Sequence, residues 1–164
     1  MAGGAGGTGL RAVDDGCGTW EGSCAGVVGA QEKRVSAKPA NLTFDEAAVA
    51  PISGVTALQA VRDAGQVSAG QKVLVIGAGG GVGSFAVQVA KAFGAEVTGV
   101  CSTGKVELVR SLGADHVIDY TQDDFALAEL LYVVILDTAG KRPLSVLLMA
   151  LNHRRLLVIV GVGG

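Results

Sequence analysis

The chain has 164 residues, of which 49% are hydrophobic and 17% charged, enough apolar material for one packed domain. Its formal net charge is −2 at pH 7, its sequence pI is about 5.6, and no cluster of Lys and Arg interrupts that balance, so no nucleic-acid surface is expected. No apolar run reaches the ~18 residues that cross a bilayer, the longest being Leu130 to Leu136 and Leu156 to Val160, so no membrane segment is expected either.

Residues 1–35 are rich in glycine and show no sustained period, which predicts a poorly structured segment. The start lacks a basic run followed by an apolar one, so no secretory signal is read there. Cys17, Cys24 and Cys101 form an odd set without CxxC spacing. They predict free thiols, no zinc site and a reducing, cytoplasmic setting. From residue 36 onward the signals sharpen. Thr43 with Glu46 three residues later has capping-box spacing, which predicts a short helix ending near Pro51. A second helix is expected over residues 54–64, closed by Gly65.

Beyond that point strands and helices alternate. Val73 to Ile76 is apolar throughout, as in a strand buried on both faces. Val82, Ala86, Val89 and Phe93 then share one helical face, with Gly94 as the stop. Glu96 to Val100 predicts a second strand, Lys105 to Leu112 a helix closed by Gly113, and His116 to Ile118 a third strand. Thr121 would cap a brief helical turn, and Tyr132 to Leu136 would form a fourth strand. Leu144, Leu147, Leu148 and Leu151 follow at i, i+3, i+4 and i+7, before a fifth strand at Leu156 to Val160. This alternation predicts an α/β, doubly wound parallel sheet of Rossmann type, five strands in the order 3-2-1-4-5, with ligand at the switch point between strands 1 and 4.

The stretch "VLVIGAGGGVGSFA" sits where the first strand meets the next helix. Such a turn points the free N–H groups of the helix at solvent, at the positive end of its dipole, and so binds anions. A diphosphate reaches them only if no Cβ intervenes. The register of the G-x-G-x-x-G fingerprint falls on Ala78, Gly80 and Gly83, with Gly77, Gly79, Gly81 and Val82 completing the loop. At the end of the second strand, "GVCSTGK" has Cys101 where an acid would hold the ribose 2′-hydroxyl of NAD. Hydroxyls and Lys105 suit a 2′-phosphate instead, which predicts NADP(H) as cofactor. The same loop is one residue short of a P-loop, because its eighth position is Val106 and offers no hydroxyl to Mg²⁺. Tyr120 and Tyr132 lack the Lys four residues on that a short-chain dehydrogenase needs. His116 and His153 have no partner at useful spacing, and no catalytic residue is identified.

Several stretches in order, "KPANLTFDEAAVAPISGVTALQAV", "GAGGGVGSFAVQVAKAFGAEV", "SLGADHVIDYTQDDF" and "VILDTAG", resemble the medium-chain dehydrogenase/reductase superfamily, and within it the zinc-independent NADPH:quinone oxidoreductases. The resemblance implies a dinucleotide-binding domain over residues 36–164, with residues 1–35 the remnant of a substrate domain whose barrel is mostly missing. It matches Ser102 and Lys105 to contacts with the 2′-phosphate, Tyr120 to a residue at the same end of the cofactor, Thr56 to the nicotinamide or the phosphates, and Gly161 to the nicotinamide side. Val133, where the family often has Asp, and Arg155-Leu156, where it has Gly-Thr, depart from the pattern. The implied activity is direct hydride transfer from NADPH to a quinone or enone. The alternative is a non-catalytic or truncated NADP-binding module that needs a partner. The apolar edge "LLVIV" adds an expectation of a homo-oligomer.

Overall fold

Val73, Leu74, Val75 and Ile76 are branched or bulky, favour the pleated state and bury both faces of a strand. In the computed structural model they form the centre of a parallel sheet. Residues 14–19, 29–123 and 131–161 are described. The strands are β1 (Gly16–Gly18), β2 (Val35–Ala37), β3 (Lys72–Ile76), β4 (Glu96–Cys101), β5 (His116–Asp119), β6 (Tyr132–Asp137) and β7 (Leu151–Ile159), and the helices are α1 (Phe44–Leu58), α2 (Gly81–Ala92), α3 (Val106–Ser111) and α4 (Leu144–Met149). The sheet order is β5-β4-β3-β6-β7, every neighbour parallel. Counted from β3, that is the expected 3-2-1-4-5.

Alternation along the strands divides the core in two. Val73, Val75, Val97, Val134 and Leu136 join Ala86, Val87 and Ala90 of α2 and Val109 of α3 on one face. Leu74, Ile76, Val100 and Ile135 join Leu147 of α4 on the other. Helices on both faces are what a doubly wound sheet requires, and truncating a fully buried residue such as Leu74 to Ala would cost about 2–5 kcal/mol.

Four expectations need correction. The helix does not end near Pro51. It runs through to Leu58 and continues as a π-helical turn, Gln59–Ala64, where the Gly65 amide donates to the Ala60 carbonyl at 2.8 Å. Pro51 removes one N–H from the ladder, but Ala57, Ala60 and Val61 beyond it are buried, and that burial holds the later turns in place. The leucine stripe of the last helix is only partly a core face. Leu147 is buried, Leu144 and Leu148 are exposed, and Leu151 already belongs to β7. The last strand is therefore longer than read and starts five residues earlier, at Leu151 rather than Leu156. Finally, the glycine-rich start is not wholly irregular, because β1 pairs antiparallel with β2. A Cβ on Gly18 would be driven into the Arg34 carbonyl, so glycine is what permits the close approach. Of the brief helical turn expected after Thr121, the part from residue 124 on lies outside the described residues.

Contacts divide the chain into two compact units, Met1–Val55 and Thr56–Gly164. In the first, Thr43 and Glu46 close the capping box: the Thr43 amide donates to Glu46 Oε2 at 2.8 Å and the Glu46 amide to Thr43 Oγ1 at 3.3 Å. The second holds the parallel sheet.

Candidate functional site

The carboxyl edge of the sheet is built first around β3. Its last residue, Ile76, pairs with Asp137 at the end of β6. Gly77 then turns with φ +82°, and a Cβ there would lie 2.7 Å from Thr138 Oγ1. The Thr138 hydroxyl donates to the Ile76 carbonyl at 2.8 Å, and its amide donates to the same oxygen at 3.0 Å. Buried Asp137 accepts the amides of Ala139 and Gly140 at 2.9 and 3.0 Å. The loops leaving the two strand ends are thus held against each other at the switch point.

The glycine loop is held from below. The Gly77 and Ala78 amides both donate to the Val100 carbonyl of β4, at 3.1 and 3.0 Å, and the Gly80 amide closes a turn on the Gly77 carbonyl at 2.9 Å. α2 then begins at Gly81, and no side chain caps it. The amides of Gly81, Val82 and Gly83 therefore start the helix without an intrahelical acceptor, at the positive end of its dipole. A Cβ on Gly83 would be driven into the Gly77 carbonyl, so only glycine lets α2 sit this close to β3. A Cβ on Gly80 would meet nothing but the Gly77 oxygen, at 3.2 Å, and its outer side is open. A cradle without side chains, beside uncapped amides, fits a diphosphate.

The second strand's end lies alongside. Cys101 is buried, and burial, aided by the nearby Asp119 carboxylate, pushes its thiol up, so it stays protonated and uncharged. Ser102 follows, half-buried, and its carbonyl accepts the Lys105 amide at 2.8 Å. The Lys105 stem crosses to the glycine loop: its Cβ and Cγ lie 2.9 and 3.0 Å from where a Cβ on Gly79 would be. Tyr120 is exposed, and its amide donates to the Cys101 carbonyl at 3.1 Å. Gly161 follows β7 with φ +80°, next to Val160, whose amide donates to the Asp137 carbonyl at 2.8 Å. Gly77 to Gly83, Ser102, Lys105, Tyr120 and Gly161 thus share one sheet edge. Thr56 is half-buried in α1. The sequence reading missed two residues of this edge, Thr138 and Asp119; the only signal for the first is a hydroxyl directly after a strand-ending acid.

The profile of the family described as zinc-binding dehydrogenase matches residues 81–164, just over half of the chain. This chain belongs to that family. It stands within the medium-chain dehydrogenase/reductase superfamily, as the ordered motifs implied. A 2-methylene-furan-3-one reductase of Solanum lycopersicum is 45% identical over 122 residues, which is 73% of this chain and 31% of the relative. A mitochondrial NAD(P)H oxidoreductase of Mus musculus, RTN4IP1, is 53% identical over 91 residues, 53% of this chain and 23% of that protein. The chain therefore spans about a third or less of the length of these curated relatives. Among solved structures, a quinone oxidoreductase from Thermus thermophilus, described together with its NADPH complex, superposes with TM-score 0.71 at 34% identity over 79% of this chain and 44% of its own. Among the described residues no group of three or more His, Cys, Asp or Glu side chains is placed to hold a metal ion. No helix of the described residues is long and apolar enough to cross a membrane.

Proposed function

We propose that this zinc-binding dehydrogenase family member binds NADP(H) as the cofactor part of a quinone or enone reductase. One observation carries the reading: the uncapped start of α2 opens onto a side-chain-free cradle at Gly80, with the Lys105 stem laid across Gly79. The amides of Gly81, Val82 and Gly83 would take the pyrophosphate. Ser102 and Lys105 would take the 2′-phosphate, with Tyr120 flanking it, and Gly161 and Thr56 would lie toward the nicotinamide. When bound, NADPH supplies a hydride to an electron-poor acceptor; the protein's part is to hold and orient it. Cys101 helps by what it lacks, since a carboxylate at that place would repel a second phosphate. The named activities of the reductase and oxidoreductase relatives support a small quinone or enone acceptor.

The domain reading is part of the proposal, with residues 36–164 as the dinucleotide-binding domain and residues 1–35 as a substrate-domain remnant. So is assembly: β7 forms a sheet edge among the described residues, and exposed Leu156 and Ile159 on it favour self-association. The deciding experiment is calorimetric titration with NADPH and NADH, followed by single-turnover oxidation of bound NADPH by a quinone. Preferred binding of NADPH with oxidation above a protein-free control supports the whole reading. Binding without oxidation leaves an NADP-binding module that needs a partner, and preference for NADH overturns the cofactor assignment.

A further inference from the structure

β4 and β5 end side by side, with Cys101 opposite Asp119. The Asp119 carboxylate does not face solvent alone. Its Oδ1 accepts the Thr121 amide at 3.0 Å and the Thr121 hydroxyl at 2.8 Å, while Oδ2 accepts Gln122 Nε2 at 3.1 Å. The Thr103 hydroxyl lies 2.9 Å from that of Thr121 and faces the same carboxylate. Two hydroxyls from two separate loops, eighteen residues apart, thus converge on one acid. Thr103 opens the 3-10 turn Thr103–Lys105, whose last residue carries the lysine stem that crosses Gly79. A continuous set of contacts therefore runs from the turn after β5, through Asp119, Thr121 and Thr103, to Lys105 and the glycine loop.

We propose that Asp119 is a positioning residue for cofactor choice: through Thr121 and Thr103 it fixes the turn that carries Ser102 and Lys105, and so sets the preference for a 2′-phosphate over a bare ribose. This inference rests on the reading of the glycine loop as an NADP(H) site. Geometry gives the residue two effects. It ties the lysine-bearing turn to β5, so that less side-chain and loop freedom is lost when a phosphate arrives. It also commits a carboxylate near the phosphate end to donors from its own turn, which spreads its charge. The Thr103 hydroxyl first, and then the donors of Thr121 and Gln122, hold the acid below the usual carboxylate range against the opposing effect of burial, so it stays ionised and engaged at neutral pH.

The test uses Thr121→Val and Thr103→Val, with Thr121→Ser and Thr103→Ser as hydroxyl-retaining partners and Asp119→Ala beside them. Each is titrated calorimetrically with NADPH and with NADH, and amide hydrogen exchange is followed over residues 102–106 without cofactor. The valine variants and Asp119→Ala should lose about fivefold in NADPH affinity, equivalent to about 1 kcal/mol, and keep their NADH affinity. The serine variants should match the wild type, and exchange should rise only where the hydroxyl or the acid is lost. A merely structural role would weaken both cofactors together. An unchanged NADPH-to-NADH ratio in the valine variants, or equal loss of both, overturns the proposal. Lys105→Ala is run alongside. If it weakens NADPH while the valine variants do not, only the Asp119 role fails. If it leaves NADPH untouched, or if the wild type binds neither cofactor, the phosphate reading fails and takes this one with it.

Discussion

Replacing Gly83 by alanine puts the packing of α2 on β3 to a direct test. The new Cβ would run into the Gly77 carbonyl oxygen, 2.7 Å from its carbon and 2.9 Å from the Ala78 Cα. None of these atoms is the end of a flexible side chain. The Gly77 carbonyl is moreover held in its turn by the Gly80 amide at 2.9 Å. The helix must therefore lift away from the strand, and Ala86, Val87 and Ala90, all fully buried on the same helix, lose contact. Overpacking of a tight core costs about 1–3 kcal/mol, and an immovable backbone obstacle places this case near the upper end, about 3 kcal/mol. Alanine's better helix propensity returns at most about 1 kcal/mol, so the steric term wins and the net loss is about 2 kcal/mol. With a urea slope of about 2 kcal/mol per molar, the midpoint should fall by about 1 M. Gly104→Ala is the control, since a Cβ there meets nothing within 4 Å, and its midpoint should not fall. A Gly83→Ala protein with the wild-type midpoint would refute the claim that close approach requires this glycine.

The middle of the sheet was legible because β3, β4 and β6 each carry their own burial signal. β3 and β6 are apolar on both sides, and α2, with one apolar stripe, joins β3 to β4 by a parallel crossover. The glycine loop was legible for a related reason: its register is local, spanning one turn and the start of α2. Where the sequence reading failed, the deciding contact was distant. Thr138 clamps Ile76, a residue 62 positions away, and nothing near either residue marks the pairing. Asp119 gathers Thr103 from another loop in the same way. Pro51 misled because a proline in a helix usually ends it, whereas here the burial that sustains the helix comes from the turns that follow. The start of β7 was hidden because Leu151 satisfies a helical spacing while its backbone already pairs with Tyr132 of β6.

Lys105→Ala should weaken NADPH by about tenfold or more, the size of a hydrogen bond to a charged group, and leave NADH unchanged by calorimetry; equal loss of both would count against the phosphate assignment. Gly80→Val should abolish binding of both cofactors in a folded protein, because its Cβ faces the open cradle and meets only the Gly77 oxygen at 3.2 Å; unchanged titration curves would move the site elsewhere. Sedimentation should show association that grows with concentration, and a monomer across a hundredfold range would remove the role given to the β7 edge. The last expectation concerns acid. At the opposite end of the sheet, burial pushes the Asp115 carboxyl up, but Lys91 Nζ at 2.8 Å and the Val97 amide at 2.7 Å outweigh it and hold the group below its ordinary 3.8. The folded state therefore binds this proton less readily than the unfolded state. The stabilisation is fully present above 3.8 and drains away as pH falls through the lower folded value. Asp115→Asn should accordingly lower the urea midpoint at neutral pH, and the gap to the wild type should narrow once the pH drops below 3.8. A gap of the same width at both pH values would mean that Asp115 stabilises the β4 edge through its shape and hydrogen bonds alone, with no contribution from its charge.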